Sequence, residues 1–276
     1  MSTAPAPATA MPAFTELAAP ARWRRVDFIS DLHLQESEPG TFRAWQHYLL
    51  QTSADALFIL GDLFEVWVGD DSAAAPDSFE ARCGEALRVA GAVMNVYFMC
   101  GNRDFLMGAQ GGDFLARHHV QPLADPTVLA FGGQRYLLTH GDLLCTDDLP
   151  YQQFRAQVRS AGWQQSFLAR PLAERQALAR QMRARSQQHH AKAGDIYAKI
   201  DINLAGRWLA QANAGTLIHG HTHQPGDQPL SVGVDGQLLN LATLSDWHIT
   251  DSERRAEVLR LSAADGLRRV APGESA

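Results

Sequence analysis

Cysteine is scarce in this sequence. Its 276 residues include three, Cys83, Cys100 and Cys145. That odd, scattered set has no Cys-x-x-Cys spacing, which excludes a disulfide framework and a structural zinc knuckle and points to a reducing, cytoplasmic compartment. Long apolar runs are missing too: no stretch reaches the roughly 18 residues of a membrane span. Nor is there an excess of positive charge. With a formal net charge of -6, the chain as a whole is no polyanion binder, so nucleic acid is not an expected partner. No internal repeat is found. The opening segment is rich in Ala and Pro, lacks a basic start and a continuous apolar stretch, and does not read as a secretory signal. Residues 1–22 have little to bury and are expected to form a disordered extension, and residues 263–276 a loose tail. The stretch between them, 23–262, reads as one globular domain.

That domain carries short apolar, β-rich runs at Val26–Ser30, Ala56–Leu60, Asn95–Met99, Arg135–Thr139, Thr216–Ile218, Leu238–Ala242 and Ala256–Leu261. Most are too short for helices and read as buried strands. Helices are expected between the early ones, at about Thr41–Thr52 and Ser78–Gly91. Strand–helix alternation predicts an α/β layered core. One stretch differs. From Gln152 to Lys192 the chain reads as helical, broken near Gly162 and Pro171, and holds eight basic residues against the single acid Glu174. Its Phe154, Trp163, Phe167 and Leu168 give it apolar content as well. Such a basic, aromatic helical segment reads as an insert, at about residues 150–205. It is either a face for a membrane surface or a solvated face packed on its own small core.

Polar residues follow the strands closely. The motifs are Asp31-Leu32-His33, Gly61-Asp62, Gly101-Asn102-Arg103-Asp104, His140-Gly141-Asp142 and Gly220-His221-Thr222-His223. Each is weak alone. Five in succession, each behind a strand, are a strong signal, because ligand sites in open α/β sheets gather at the carboxyl ends of strands. Seven of these side chains can hold two divalent ions: Asp31, His33, Asp62, Asn102, His140, His221 and His223. A carboxylate such as Asp62 can bridge a pair of ions roughly 3.5–4 Å apart, whose charge lowers the pKa of a shared water. Oxygen and imidazole ligands without thiolate suit manganese, iron or zinc. His219 is one histidine more than this scheme needs and reads as structural. Asp104 and Asp142 sit beside ligands and are expected to orient them or their loops.

In these motifs the chain resembles the calcineurin-like metallophosphoesterase superfamily, over roughly Val26 to His248. The resemblance implies a layered β-sandwich core flanked by helices. It also implies one metal held by Asp31, His33, Asp62 and His223, and a second by Asp62, Asn102, His140 and His221. One departure is informative. Many members have histidine after the motif asparagine, where this chain has Arg103. Arginine cannot donate a proton at working pH but grips phosphate bidentately. A leaving group that needs little protonation is expected, such as a phosphate, on a substrate with more than one phosphoryl group.

Arg103, the run from His140 to Asp148, Tyr151 and the basic insert narrow the match to the UDP-2,3-diacylglucosamine pyrophosphohydrolase family of lipid A synthesis. That resemblance implies two manganese ions and water attack on the α-phosphate of an acylated UDP-sugar. It further implies a lid formed by the helical insert, and peripheral attachment to the cytoplasmic face of the inner membrane through it. It places Asn102, Arg103, Asp148, Tyr151, Arg183, Ser186, His190, Lys192 and His221 against substrate, with Asp62, Arg103 and His221 in the chemistry. Three rivals stand beside this reading. They are a phosphoesterase of soluble nucleotides or phosphoproteins, a nuclease, and a lipid- or partner-binding module with a vestigial metal site.

Overall fold

The computed structural model describes residues 11–193, 199–232 and 238–274. Fourteen strands and seven α-helices follow one another in this order: β1 Thr15–Ala18, β2 Arg25–Ile29, α1 Pro39–Gln51, β3 Ala56–Leu60, α2 Phe79–Gly91, β4 Asn95–Met99, α3 Phe114–Arg117, β5 Val120–Leu123, β6 Thr127–Phe131, β7 Gln134–Thr139, α4 Leu149–Val158, α5 Ala161–Leu168, α6 Leu172–Ala193, α7 Ile202–Ala212, β8 Thr216–His219, β9 Gly226–Val232, β10 Leu238–Thr243, β11 His248–Ile249, β12 Arg254–Arg255, β13 Val258–Ser262 and β14 Gly266–Val270. Two six-stranded sheets form, in the orders β14-β13-β2-β3-β4-β5 and β1-β6-β7-β8-β10-β9, with β11 and β12 as a small separate pair.

Side-chain alternation along the strands decides the layers. In β3, Ala56, Phe58 and Leu60 face the second sheet, while Leu57 and Ile59 face the helices. Both faces are thus covered, which is why the run is continuously apolar. Leu129, Leu138, Ile218 and Ala242 complete the layer between the sheets. Beneath the first sheet, Trp45 and Leu49 of α1 and Cys83 and Leu87 of α2 pack on Leu57, Ile59 and Val96. On the outer face of the second sheet, Leu204, Ala205, Trp208 and Leu209 of α7 meet Val128, Leu137, Leu217 and Leu241. The result is helix, sheet, sheet, helix. Caps set the helix starts: Ser78 accepts from Ala81 N, and Asp201 from Leu204 N.

Two expectations need correction. Part of the segment expected to be disordered is strand β1, which pairs in parallel with β6 (Thr15 opposite Thr127). Part of the expected loose tail is β14, paired antiparallel with β13 (Val258 opposite Val270). Each completes a sheet edge through backbone hydrogen bonds, a requirement that leaves little mark on composition. Residues 1–10 lie outside the described residues. The basic stretch is helical as expected, in the three pieces α4 to α6. Its far boundary falls short of 205, because α7, which starts at Ile202, belongs to the core.

Asp27 points from β2 toward the helices and receives Arg260 Nε at 2.8 Å and Nη2 at 3.0 Å, the Tyr48 hydroxyl at 2.8 Å and the Thr52 hydroxyl at 2.8 Å. This network fixes β2, whose end carries Asp31. Asp27→Ala strands the buried Arg260 charge. It is expected to lower unfolding free energy by about 3–5 kcal/mol, read as a fall in the urea midpoint at unchanged m-value.

Candidate metal centre

The candidate ligands lie directly behind strand ends. Asp31 and His33 follow β2, Asp62 follows β3, Asn102 follows β4, His140 follows β7, and His221 and His223 follow β8. Backbone bonds bind these loops together: Asp31 N to Gly61 O at 3.1 Å, His33 N to Asp62 O at 3.0 Å, Gly220 N to His140 O at 3.0 Å. The turns are sharp. Asp31, His33, Asp62, His221 and His223 all have φ between 48° and 67°, the left-handed region that side chains seldom adopt outside functional sites. The flanking glycines have steric reasons. A Cβ on Gly101 would lie 2.1 Å from Asp62 Oδ1, and one on Gly220 would lie 2.3 Å from Asp31 Oδ2.

The ligand atoms form two adjoining groups. In the first, Asp31 Oδ1 lies 3.3 Å from His223 Nε2 and 3.9 Å from His33 Nε2, and the two imidazole nitrogens are 3.2 Å apart. Asp31 Oδ1 is buried without a hydrogen bond. In the second, Asn102 Oδ1 lies 2.9 Å from His140 Nε2, 2.8 Å from His221 Nδ1 and 3.2 Å from Asp62 Oδ2. Turning the Asn102 amide over would give hydrogen bonds to the same atoms and satisfy Arg103 Nε. An amide nitrogen cannot ligate a cation, so oxygen inward is the orientation of a metal-loaded centre. Asp62 adjoins both groups: its carboxylate, a carboxylate oxygen of Asp31 and a ring nitrogen of His140 lie within 4.8 Å of one another. Seven oxygen and imidazole donors converging with an orphaned carboxylate oxygen fit divalent cations.

Electrostatics agree. Burial would push the Asp31 carboxyl up, but the imidazoles of His223, His140 and His33 hold it well below the usual range. Burial would push His140 down, yet Asp62, Asp31 and Asp142 raise it to about 9. Burial, with His140 beside it, lowers His221 to about 4. The cluster draws positive charge to itself, which dications supply. His140 Nδ1 donates to Leu60 O at 2.9 Å, leaving Nε2 as the inward nitrogen that a bound cation would take in place of a proton.

Around the ligands stand the residues that aim them. Asp104 accepts from Gly101 N at 2.8 Å and Leu63 N at 2.7 Å, tying two ligand loops together; burial and the neighbouring Asp62 push it up to about 7. Asp142 accepts the Tyr151 hydroxyl at 2.6 Å and Arg155 Nε at 2.7 Å, joining the His140 loop to α4. His219 is buried and structural, bonded to Gly220 O at 2.8 Å and the Thr243 hydroxyl at 3.0 Å. Trp67 is packed against Phe64 and Phe114.

Of the residues expected against substrate, Arg103 sits at the centre, its Nε 3.7 Å from Asp62 Oδ2. The Tyr151 ring stands 5.9 Å from that of His221. Asp148 caps α4 by accepting from Tyr151 N at 3.0 Å. Arg183 forms an ion pair with Glu65. The side chains of Ser186, His190 and Lys192 lie outside the described residues. Glu65 was not expected: it also stands 3.1 Å from His33 Nδ1 and 3.9 Å from Arg103 Nη1. Its only sequence signal is an acid embedded in the apolar run Leu63-Phe64-Glu65-Val66-Trp67.

Comparison with known proteins identifies the lineage. The calcineurin-like phosphoesterase family model matches residues 24–225. A UDP-2,3-diacylglucosamine hydrolase of Stenotrophomonas maltophilia (strain K279a) is 41% identical over 86% of this chain and 94% of its own length. Proteins of the same name are 46% identical in Chromobacterium violaceum, over 72% of this chain and 83% of theirs, and 43% identical in Xanthomonas oryzae pv. oryzae, over 87% and 96%.

Steric fit at the centre is testable by manganese titration. Gly101→Ala drives a Cβ into Asp62 and is expected to abolish tight binding in a folded protein. Gly206→Ala, with nothing within 4 Å of the new carbon, is expected to bind as wild type and gain about 0.5–1 kcal/mol of stability. The motifs, the geometry and the relatives agree: the chain belongs to the calcineurin-like phosphoesterases and, among them, to the UDP-2,3-diacylglucosamine hydrolase family.

Proposed function

We propose that this chain hydrolyses the pyrophosphate of UDP-2,3-diacylglucosamine by water attack on the α-phosphate, releasing UMP and 2,3-diacylglucosamine 1-phosphate for lipid A synthesis. The observation that carries this reading is the complete ligand set with Arg103 beside it, in a chain that matches hydrolases of that name over most of its length. When bound, two manganese ions would lower the pKa of a shared water and neutralise charge on the phosphoryl oxygens. Asp31, His33, Asp62 and His223 would hold one, and Asp62, Asn102, His140 and His221 the other.

The remaining tasks fall to the chain's own groups. Asp62 adjoins both donor groups and sets their separation. His221 is held neutral by burial and His140, and its Nδ1 faces Asn102 Oδ1 at 2.8 Å. Arg103 presents a forked donor at the edge of the cluster, suited to two oxygens of one phosphoryl group. It delivers no proton, so the leaving group departs as an anion, which a sugar 1-phosphate does readily. Asp148, by capping α4, and Asp142, by holding Tyr151, fix where the insert meets the centre. Arg183, with the sequence expectations Ser186, His190 and Lys192, would add substrate contacts from a lid formed by α4, α5 and α6.

Attachment to the cytoplasmic face of the inner membrane is part of the same proposal. Its support is the insert's exposed Leu149 and Phe154 together with exposed Arg170 and Arg180. No helix among the described residues is long and apolar enough to cross a membrane. The insert's other apolar residues serve packing: Phe167 is buried, and Trp163 and Leu168 pack on the core. Replacing them would test folding rather than lipid recognition.

Two measurements decide the reading. Metal-stripped protein given manganese is expected to release UMP from UDP-2,3-diacylglucosamine, with Asp62→Ala inactive and Arg103→Ala reduced by roughly 10²–10³-fold. Metal-dependent cleavage of soluble nucleotides without turnover of the lipid would move the function to the soluble-substrate rival. Separately, Leu149→Ser with Phe154→Ser is expected to reduce sedimentation with anionic vesicles while leaving the thermal midpoint within about 2 °C, as exposed positions allow. Unchanged sedimentation would remove the membrane part of the proposal.

A further inference from the structure

Glu65 stands where the loops of the candidate metal centre meet helix α6 of the insert. Its backbone is fixed to the His33 loop: Glu65 N donates to Leu34 O at 3.2 Å, and Leu34 N to Leu63 O at 2.9 Å. One carboxylate oxygen, Oε2, lies 3.1 Å from His33 Nδ1, close enough for an ion pair but off the line of a hydrogen bond. The opposite nitrogen of that ring, Nε2, faces the group of Asp31 and His223. The other oxygen, Oε1, pairs with Arg183 Nη2 of α6 and stands 3.9 Å from Arg103 Nη1.

We propose that Glu65 is a positioning residue that couples the metal centre to the helical insert. A carboxylate beside the outer nitrogen of a ligating imidazole helps hold its ring in orientation. Here the same carboxylate is shared with a guanidinium, so the strength of one contact depends on the other. Ordering His33 aims Glu65 at Arg183 and seats α6. Releasing Arg183 leaves Glu65 with Arg103 and His33 as its remaining partners and changes how His33 binds. The start of α6 has its own anchor. Arg175 is almost fully buried, donates to Asp71 Oδ1 at 2.9 Å and to Arg170 O at 2.9 Å, and also reaches Val68 O. Arg183 lies eight residues further, about 12 Å along the helix. Among the described residues, its pair with Glu65 is the ion pair that ties this part of α6 to the core. The site thus couples in both directions, as linkage requires: metal binding favours a seated helix, and a seated helix favours metal binding.

This inference rests on His33 being a metal ligand and not on the identity of the substrate. The test is a double-mutant cycle read by manganese titration and by amide hydrogen exchange of residues 178–184 with and without manganese. Glu65→Gln is expected to weaken manganese binding about tenfold and to erase manganese-induced protection of α6. Arg183→Gln touches no ligand, yet is expected to change manganese affinity about fivefold. In the double variant its effect vanishes. Wild-type affinity in Arg183→Gln, or an undiminished Arg183→Gln effect in the Glu65→Gln background, would overturn the coupling. The metal reading would still stand. Failure of the wild type itself to bind manganese would overturn both. Thermal unfolding of each metal-free variant separates these outcomes from misfolding.

Discussion

Burying several carboxylates at the shared end of two sheets is the constraint that organises this molecule. Asp31, Asp62, Asp104 and Asp142 are each at most 1% exposed. Carboxylates withdrawn from water lose hydration and repel one another, so each needs compensation. The compensation differs in kind. Asp104 takes backbone N–H groups from two loops. Asp142 has a cation of its own in Arg155. Asp31 spends one oxygen on the Ser30 hydroxyl and His221 N, while the other faces only imidazoles. Asp62 accepts the Arg103 backbone N–H on Oδ1 at 2.9 Å, while the Arg103 guanidinium stands 3.7 Å from Oδ2. The first two acids are held by the fold and hold it in turn. Asp31 and Asp62 differ in facing the imidazoles of His223, His33 and His140, the arrangement expected of candidate metal ligands.

The same accounting explains the charge of the insert. The run from Gln152 to Lys192 is strongly basic inside a chain of net charge -6. Much of that charge points inward: Arg155 to Asp142, Arg159 to Gly101 O at 2.8 Å and over the Phe105 ring, Arg175 to Asp71, Arg183 to Glu65. Each partner lies in a loop that carries or adjoins a ligand. The excess of arginine is therefore first a docking device between helices and an acidic rim. Arg170 and Arg180 remain on the outside. Arginine suits the inward task because its fork holds carboxylates and carbonyls with fixed geometry.

What could be read from sequence follows from range. Ala56–Leu60 and Asn95–Met99 were legible residue for residue because strands covered on both faces are continuously apolar and end in Gly-Asp or Cys-Gly-Asn. The seven candidate ligands could be picked out because each stands beside such an end, and the fold brings them together. β1 and β14 were not, since what holds them is pairing with strands distant in sequence or short of apolar residues. Glu65 was missed for a related reason. Nothing near it in sequence shows that His33, Arg103 and Arg183 meet at its carboxylate; the β2–β3 pairing and the return of α6 bring them there. The inward direction of the arginines was hidden likewise, because spacing on a helix gives a face but not its neighbour.

Backbone strain assigns different mechanical roles to the ligand loops and the insert. A left-handed conformation costs a residue with a side chain about 1–2 kcal/mol, and five ligands share it. Such strain persists only where surroundings over-determine it. Here they do: Gly61, Gly101 and Gly220 leave no room for a Cβ against neighbouring loops, and backbone hydrogen bonds cross between those loops. The ligand geometry is thus set by the sandwich before any ligand arrives. The insert has no comparable backbone ties to the centre among the bonds described above; it is joined mainly by side chains, with Tyr151 and the four inward arginines as the bolts. Side-chain ion pairs exchange partners without breaking a sheet.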